Sequence, residues 1–103
     1  MAHTDATTQR IARLLDALLR TTGDLPEVAE EWEALEPASR ATWSLDWHQT
    51  MVMNLPFVQE QYRVGTMTKK QRAHYENLLR RLKEFQPIIE RLGITQPHIP
   101  LQV

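Results

Sequence analysis

The sequence predicts an all-α fold, a small helical bundle, on three observations. Apolar residues recur three and four apart over most of the chain. Its three glycines, Gly23, Gly65 and Gly93, each follow such a stretch, where a left-handed C-terminal cap favours a residue without Cβ. The one alternation of strand type is Ile99, Leu101 and Val103, at the end of the sequence. A length of 103 residues suits one domain. We expect a single helical domain over 1–93 and an extended, proline-containing tail over 94–103.

Four helical segments follow in order. The first covers about 6–22, with Ile11, Leu14, Leu15, Leu18 and Leu19 on one face, Asp5 as N-cap with Thr7 or Thr8 as the alternatives, and Gly23 as its stop. The second covers about 26–35. Asp24 with Glu27 three residues on reads as a capping-box variant with proline in the first turn. Val28, Trp32 and Leu35 form its apolar stripe, and the Glu36-Pro37 step ends it, because the residue before proline avoids the helical region.

The third segment, about 38–64, carries Trp43, Trp47, Met51, Leu55, Val58 and Tyr62 as its stripe. Pro56 removes a backbone donor and clashes one turn back, which predicts a kink or break near Asn54. The fourth, about 69–92, opens on a Thr68/Gln71 capping box. Tyr75, Leu78, Leu82, Phe85, Ile89 and Leu92 form a heptad seam widened by Leu79 and Ile88. Pro87 kinks or splits it before Gly93. Segments three and four, joined through Gly65, make a long antiparallel hairpin with Tyr62 near Tyr75, Met51 near Phe85 and Trp47 near Ile89. The two shorter N-terminal helices cover its remaining side.

Net charge is −1, but it is unevenly distributed. Residues 1–62 hold four Lys+Arg against ten Asp+Glu, and residues 63–103 hold eight against three. The simplest expectation is that the two parts fold onto each other; the alternative is a charged partner. No stretch approaches the about 18 apolar residues of a membrane helix, and no apolar signal-peptide stretch opens the sequence, so no membrane association and a cytoplasmic location are expected.

Candidate chemistry is sparse. Cysteine is absent, which excludes disulfides, zinc–thiolate sites and thiol catalysis. The few glycines exclude a Gly-rich phosphate loop. His3, His48, His74 and His98 form no i, i+4 pair, and neither Glu-x-x-His nor His-Glu-x-x-His occurs. Ser39 and Ser44 lack a base nearby in sequence. No catalytic residue, metal site or cofactor is expected, and the chain reads as non-enzymatic. Glu27, Glu30 and Glu31 share one face, read as a solvated surface near a helix N-terminus or a patch for a basic partner.

The expected function is therefore a protein-interaction module: an antitoxin-like or inhibitor-like partner or an adaptor, binding another protein chain or a second copy of itself. Its candidate partner-binding residues are the tail's Ile94, Ile99, Leu101 and Val103, together with Arg40 and Trp43, residue types found at interface hot spots. Self-packing of the tail is the competing expectation. Met51, Met53 and Met67 add adaptable apolar surface. The alternative is a nucleic-acid binder, with Lys69, Arg72, Arg80 and Lys83 as phosphate contacts on one stripe of the last helix. Against it, Glu76 and Glu84 stand where they would pair with Arg72 and Arg80 within the helix.

Overall fold

The computed structural model describes residues 6–98. It is an all-α bundle, an elongated body of 52 × 26 × 18 Å, made of four helical segments, three of them interrupted. The first is α1 (Ala6–Gly23). The second is α2 (Leu25–Glu31), running into a 3-10 turn (Trp32–Ala34). The third is α3 (Pro37–Gln49), a π-helical turn (Thr50–Asn54) and α4 (Leu55–Val64). The fourth is α5 (Lys69–Glu84) followed by α6 (Gln86–Leu92). No strand forms among the described residues.

Four breaks in the helical run each fall beside a proline. Pro26 lies in the first turn of α2 and has no N–H to continue the α1 ladder. That, and not a left-handed glycine, ends α1: Gly23 keeps a negative φ while Gly65 and Gly93 do not. Asp24 occupies the cap position with helical dihedrals and no side-chain hydrogen bond, so the expected Asp24/Glu27 capping box does not form. Pro87 splits the last segment at Phe85, whose φ and ψ are −89° and 3°. Leu35 and Glu36 are extended before Pro37.

Pro56 acts differently. The third segment widens into the π-turn immediately before the proline. The apolar stripe explains why. Tyr62 lies nineteen positions after Trp43, whereas five α-helical turns take about 18. A π-turn absorbs one extra residue, which keeps Trp47, Met51, Leu55 and Val58 on the buried face.

The ends that remain follow familiar backbone logic. The Thr68/Gln71 box is complete, with both reciprocal hydrogen bonds present at 3.0 and 3.1 Å. Gly65 and Gly93 adopt φ of 82° and 69°. Past each, an amide bonds back across the turn, Thr66 to Gln61 and Ile94 to Ile89.

One core runs through all four segments. The heptad seam supplies Tyr75, Leu78, Leu82, Ile89 and Leu92, with Leu79 beside them and Phe85 and Ile88 at the edge. Trp47 and Met51 enter the same core. The hairpin arms touch near the turn, where the rings of Tyr62 and Tyr75 lie 4.5 Å apart. α1 packs most extensively on α5, and also against α4 and the π-turn. It therefore lies against both arms, where the sequence had suggested a cover for one side. Gln71 donates to the Thr8 carbonyl at 3.1 Å, and α2 packs on α6, where Arg91 reaches the Ala29 carbonyl.

Leu82 is wholly buried at the centre of the seam. Leu82→Ala should lower unfolding free energy by about 2–5 kcal/mol, and Leu82→Asp should abolish the cooperative thermal transition followed by circular dichroism. An unchanged transition in Leu82→Asp would show that the seam is not the core.

Candidate functional site

Three surface regions combine chemistry with exposure: the aromatic corner with the tail, the basic stripe of α5, and the outer face of the α3–π–α4 arm.

At the corner, Trp43 stacks on Trp47 with centroids 5.6 Å apart and 16° between planes. Trp32 meets Trp43 edge-on at 6.3 Å. Arg40 donates from Nε to the Trp32 carbonyl at 2.8 Å and from Nη2 to the Glu33 carbonyl at 3.0 Å. Its guanidinium thus closes the 3-10 turn, sharing the Trp32 carbonyl with the Leu35 amide, and Trp43 is half-buried between two other indoles. Both residues hold the corner together.

The tail follows the groove beyond Gly93. Ile94 is buried in the core, so it serves this domain and offers nothing to a partner. The Thr95 carbonyl accepts from Trp47 Nε1 at 2.7 Å, and its hydroxyl meets His48 Nδ1 at 2.7 Å. Gln59 donates to the His98 carbonyl at 2.6 Å. Gln96 to His98 face Leu82, Lys83, Gln86 and Ile89 across a cleft of about 480 Å³. The other candidate tail residues, Ile99, Leu101 and Val103, lie outside the described residues.

The basic stripe is less neutralised than the sequence implied. Glu76 does not pair with Arg72 or Arg80; its carboxylate accepts from the Tyr62 hydroxyl at 2.6 Å. Arg80 donates to Asn77, and Arg72 lies 5.5 Å over the Tyr62 ring. Among the described residues, none of Lys69, Arg72, Arg80 and Lys83 forms an ion pair. A shallow cleft of about 340 Å³ runs between Glu76, Leu79, Arg80 and Lys83. The three ion pairs that do form are Asp16–Arg20, Glu33–Arg40 and Glu60–Arg63, each between near neighbours in sequence. Only Glu60–Arg63, three residues apart, crosses from the acidic to the basic part, so no long-range ion pair ties the two together among the described residues.

The third region escaped the sequence reading. Among the described residues, the large apolar side chains left exposed are Leu45, Val52, Met53 and Val64, at 55, 47, 71 and 50%. All four belong to one arm and point away from its buried stripe. Pro56 is also exposed among them. Of the three methionines read as surface, Met51 and Met67 are buried and Met53 is the most exposed of the ridge. The signal available in the sequence was the one-residue excess of the stripe: the π-turn that absorbs it carries Val52 and Met53 on its outer side.

No group of three or more His, Asp or Glu side chains among the described residues is placed to hold a metal ion. No described helix is long and apolar enough to cross a membrane. The chain matches no protein-family model, no curated protein and no solved structure.

The tyrosine pair titrates abnormally. Burial pushes the Tyr75 phenol from its ordinary value near 10 to about 12, and the hydrogen bond to Glu76, aided by burial, raises Tyr62 as well. A phenol raised on folding contributes stability that is complete below its unfolded value and is lost as pH rises through its folded one. Urea unfolding should therefore show stability falling between about pH 10 and about 12, and Tyr75→Phe should flatten that fall. An equal alkaline loss in the variant would remove Tyr75 as its source.

Proposed function

We propose that the chain is a non-catalytic, cytoplasmic protein-interaction module, an antitoxin-like or inhibitor-like partner or an adaptor. Its binding face is the outer ridge of the α3–π–α4 arm. The observation that carries this reading is that the four large apolar side chains exposed among the described residues, Leu45, Val52, Met53 and Val64, lie on one arm whose opposite face already fills the core. Single exposed apolar residues need no explanation; four on one arm, with no other large apolar side chain exposed among the described residues, are what an interaction surface would use. Polar Asp46, Gln49, Glu60 and Arg63 edge the ridge and are exposed, as the rim of a protein interface is. The tail contributes through Ile99, Leu101 and Val103 and not through Ile94, which is buried.

A photo-crosslinking residue placed at Met53 tests the reading in producing cells, with exposed Arg13 of α1 as the control. Position 53 should yield discrete protein adducts and position 13 should not. Leu45→Glu in the same background should cut the adduct at least tenfold while leaving the thermal midpoint within a few degrees, as surface substitutions do. Equal adduct yields at 53 and 13 would end the proposal.

A second reading has one observation in its favour. The unpaired cations Lys69, Arg72, Arg80 and Lys83 leave α5 with a basic stripe suited to phosphates. If all four contact DNA phosphates, affinity should fall roughly a hundredfold between about 50 and 200 mM salt. Gel shifts with duplex and single-stranded probes measure this, and the absence of any salt-dependent shift removes the reading.

A further inference from the structure

The ridge has an internal symmetry that helical geometry does not require. Reversing a helix about its midpoint always brings the same face round, so matched exposure is no surprise. Matched chemistry is. Counted in residues from a two-fold axis between Asn54 and Leu55, Leu45 matches Val64, and Met53 matches Pro56. Each of these pairs is apolar and exposed. Asp46 matches Arg63, which is the opposite charge, and Gln49 matches Glu60, an amide against a carboxylate.

We infer that the occupant of the ridge is a second copy of this chain, laid antiparallel across it in a closed two-fold dimer. The inference rests on the ridge being a protein-binding face and names its partner. In that arrangement Leu45 of each copy packs on Val64 of the other, and the exposed Val52, Met53 and Pro56 meet at the axis. Asp46 makes no ion pair within its own chain among the described residues; across the axis it meets Arg63, whose guanidinium already holds Glu60. A parallel pairing would oppose Asp46 to Asp46 and Arg63 to Arg63, which like charges disfavour.

The long-range charge points the same way. Glu33 and Glu36 lie just before α3, and Lys69 and Lys70 just beyond the Gly65 turn after α4. Antiparallel copies bring the acidic end of one arm toward the basic end of the other, twice. An isologous contact uses the same patch on both copies and closes on itself. The charge left unpaired within one chain is thereby used between two.

The ridge spans about 28 Å of helix, and a single helix pair buries less than the about 1,600 Å² of a standard interface. Mass is therefore measured by light scattering and sedimentation on the full chain from about 1 to 300 µM, across the micromolar range expected of a small interface. The expected result is a reversible rise from 12.0 kDa to twice that. Asp46→Arg or Arg63→Asp alone should raise the dissociation constant at least tenfold. The double reversal should restore it to within about threefold, because complementarity is regained in the opposite sense.

The cysteine-free sequence permits a second measurement. Leu45→Cys/Val64→Cys should give a covalent dimer on mild oxidation, since the two positions are too far apart to bridge within one chain. A chain that stays monomeric throughout, or a dimer indifferent to both charge reversals, overturns the second copy as occupant. If the chain is monomeric but position 53 crosslinks a different protein, the dimer fails and the protein-binding ridge stands. If position 53 crosslinks only residues 99–103 of its own chain, the ridge is covered from within and both fail.

Discussion

The hydrogen bond that Pro56 cannot donate governs the middle of this molecule. A helix that loses one backbone bond at a proline either kinks or changes its winding. Here the winding changes, because the buried stripe from Trp43 to Tyr62 is one residue too long for α-helical turns. A sharp kink would turn Trp47 and Val58 out of register with each other; the π-turn lets both remain wholly buried. The same turn sets what the solvent sees. The residue in excess is accommodated on the outer side, where Val52 and Met53 are exposed. Core and outer ridge are thus two faces of one backbone adjustment.

Around that arm, the bundle is held by packing and by a few long-range polar contacts, not by charge. α1 lies against both α5 and α4, and its Arg10 sits 4.1 Å over the Phe57 ring. Tyr62 sends its hydroxyl to Glu76, removing the carboxylate that would otherwise neutralise Arg72 and Arg80. The uneven charge visible along the sequence consequently survives folding as a surface property. Solvated pairs between neighbours, such as Asp16 and Arg20, contribute little to stability, so the fold gains little from the three found among the described residues.

Much of the architecture was legible in the sequence because local rules act within a few residues. The Thr68/Gln71 box, the left-handed Gly65 and Gly93, the split at Pro87 and the stacked Trp43 and Trp47 all follow from spacing alone. Gly23 marks the end of α1 as expected but is not left-handed, because Pro26, three residues on, ends the ladder. The place of α1 against both arms was not legible, since it depends on how several faces share one core. The role of Glu76 was hidden for the same reason: its partner Tyr62 lies on another helix, fourteen residues away. The candidate surface was legible only in part. Leu45, Val52, Met53 and Val64 have no motif, and their exposure follows from a stripe that faces the other way.

The described part of the tail is fastened across the molecule. Forty-eight residues separate Trp47 from Thr95, so this hydrogen bond closes a long loop, whereas most bonds here join residues three or four apart. Loop-closure entropy grows only slowly with length, yet each such bond gives a net stabilisation of about 1 kcal/mol. The tail's hold on the arm is therefore far weaker than the cohesion of the seam beneath it. Segments of that kind open on their own, in a cooperative unit smaller than the whole protein. Beyond Ile94, which is buried in the core, the cleft lined by Leu82 and Ile89 on one side is therefore walled on the other by Gln96, Pro97 and His98, the more weakly held element.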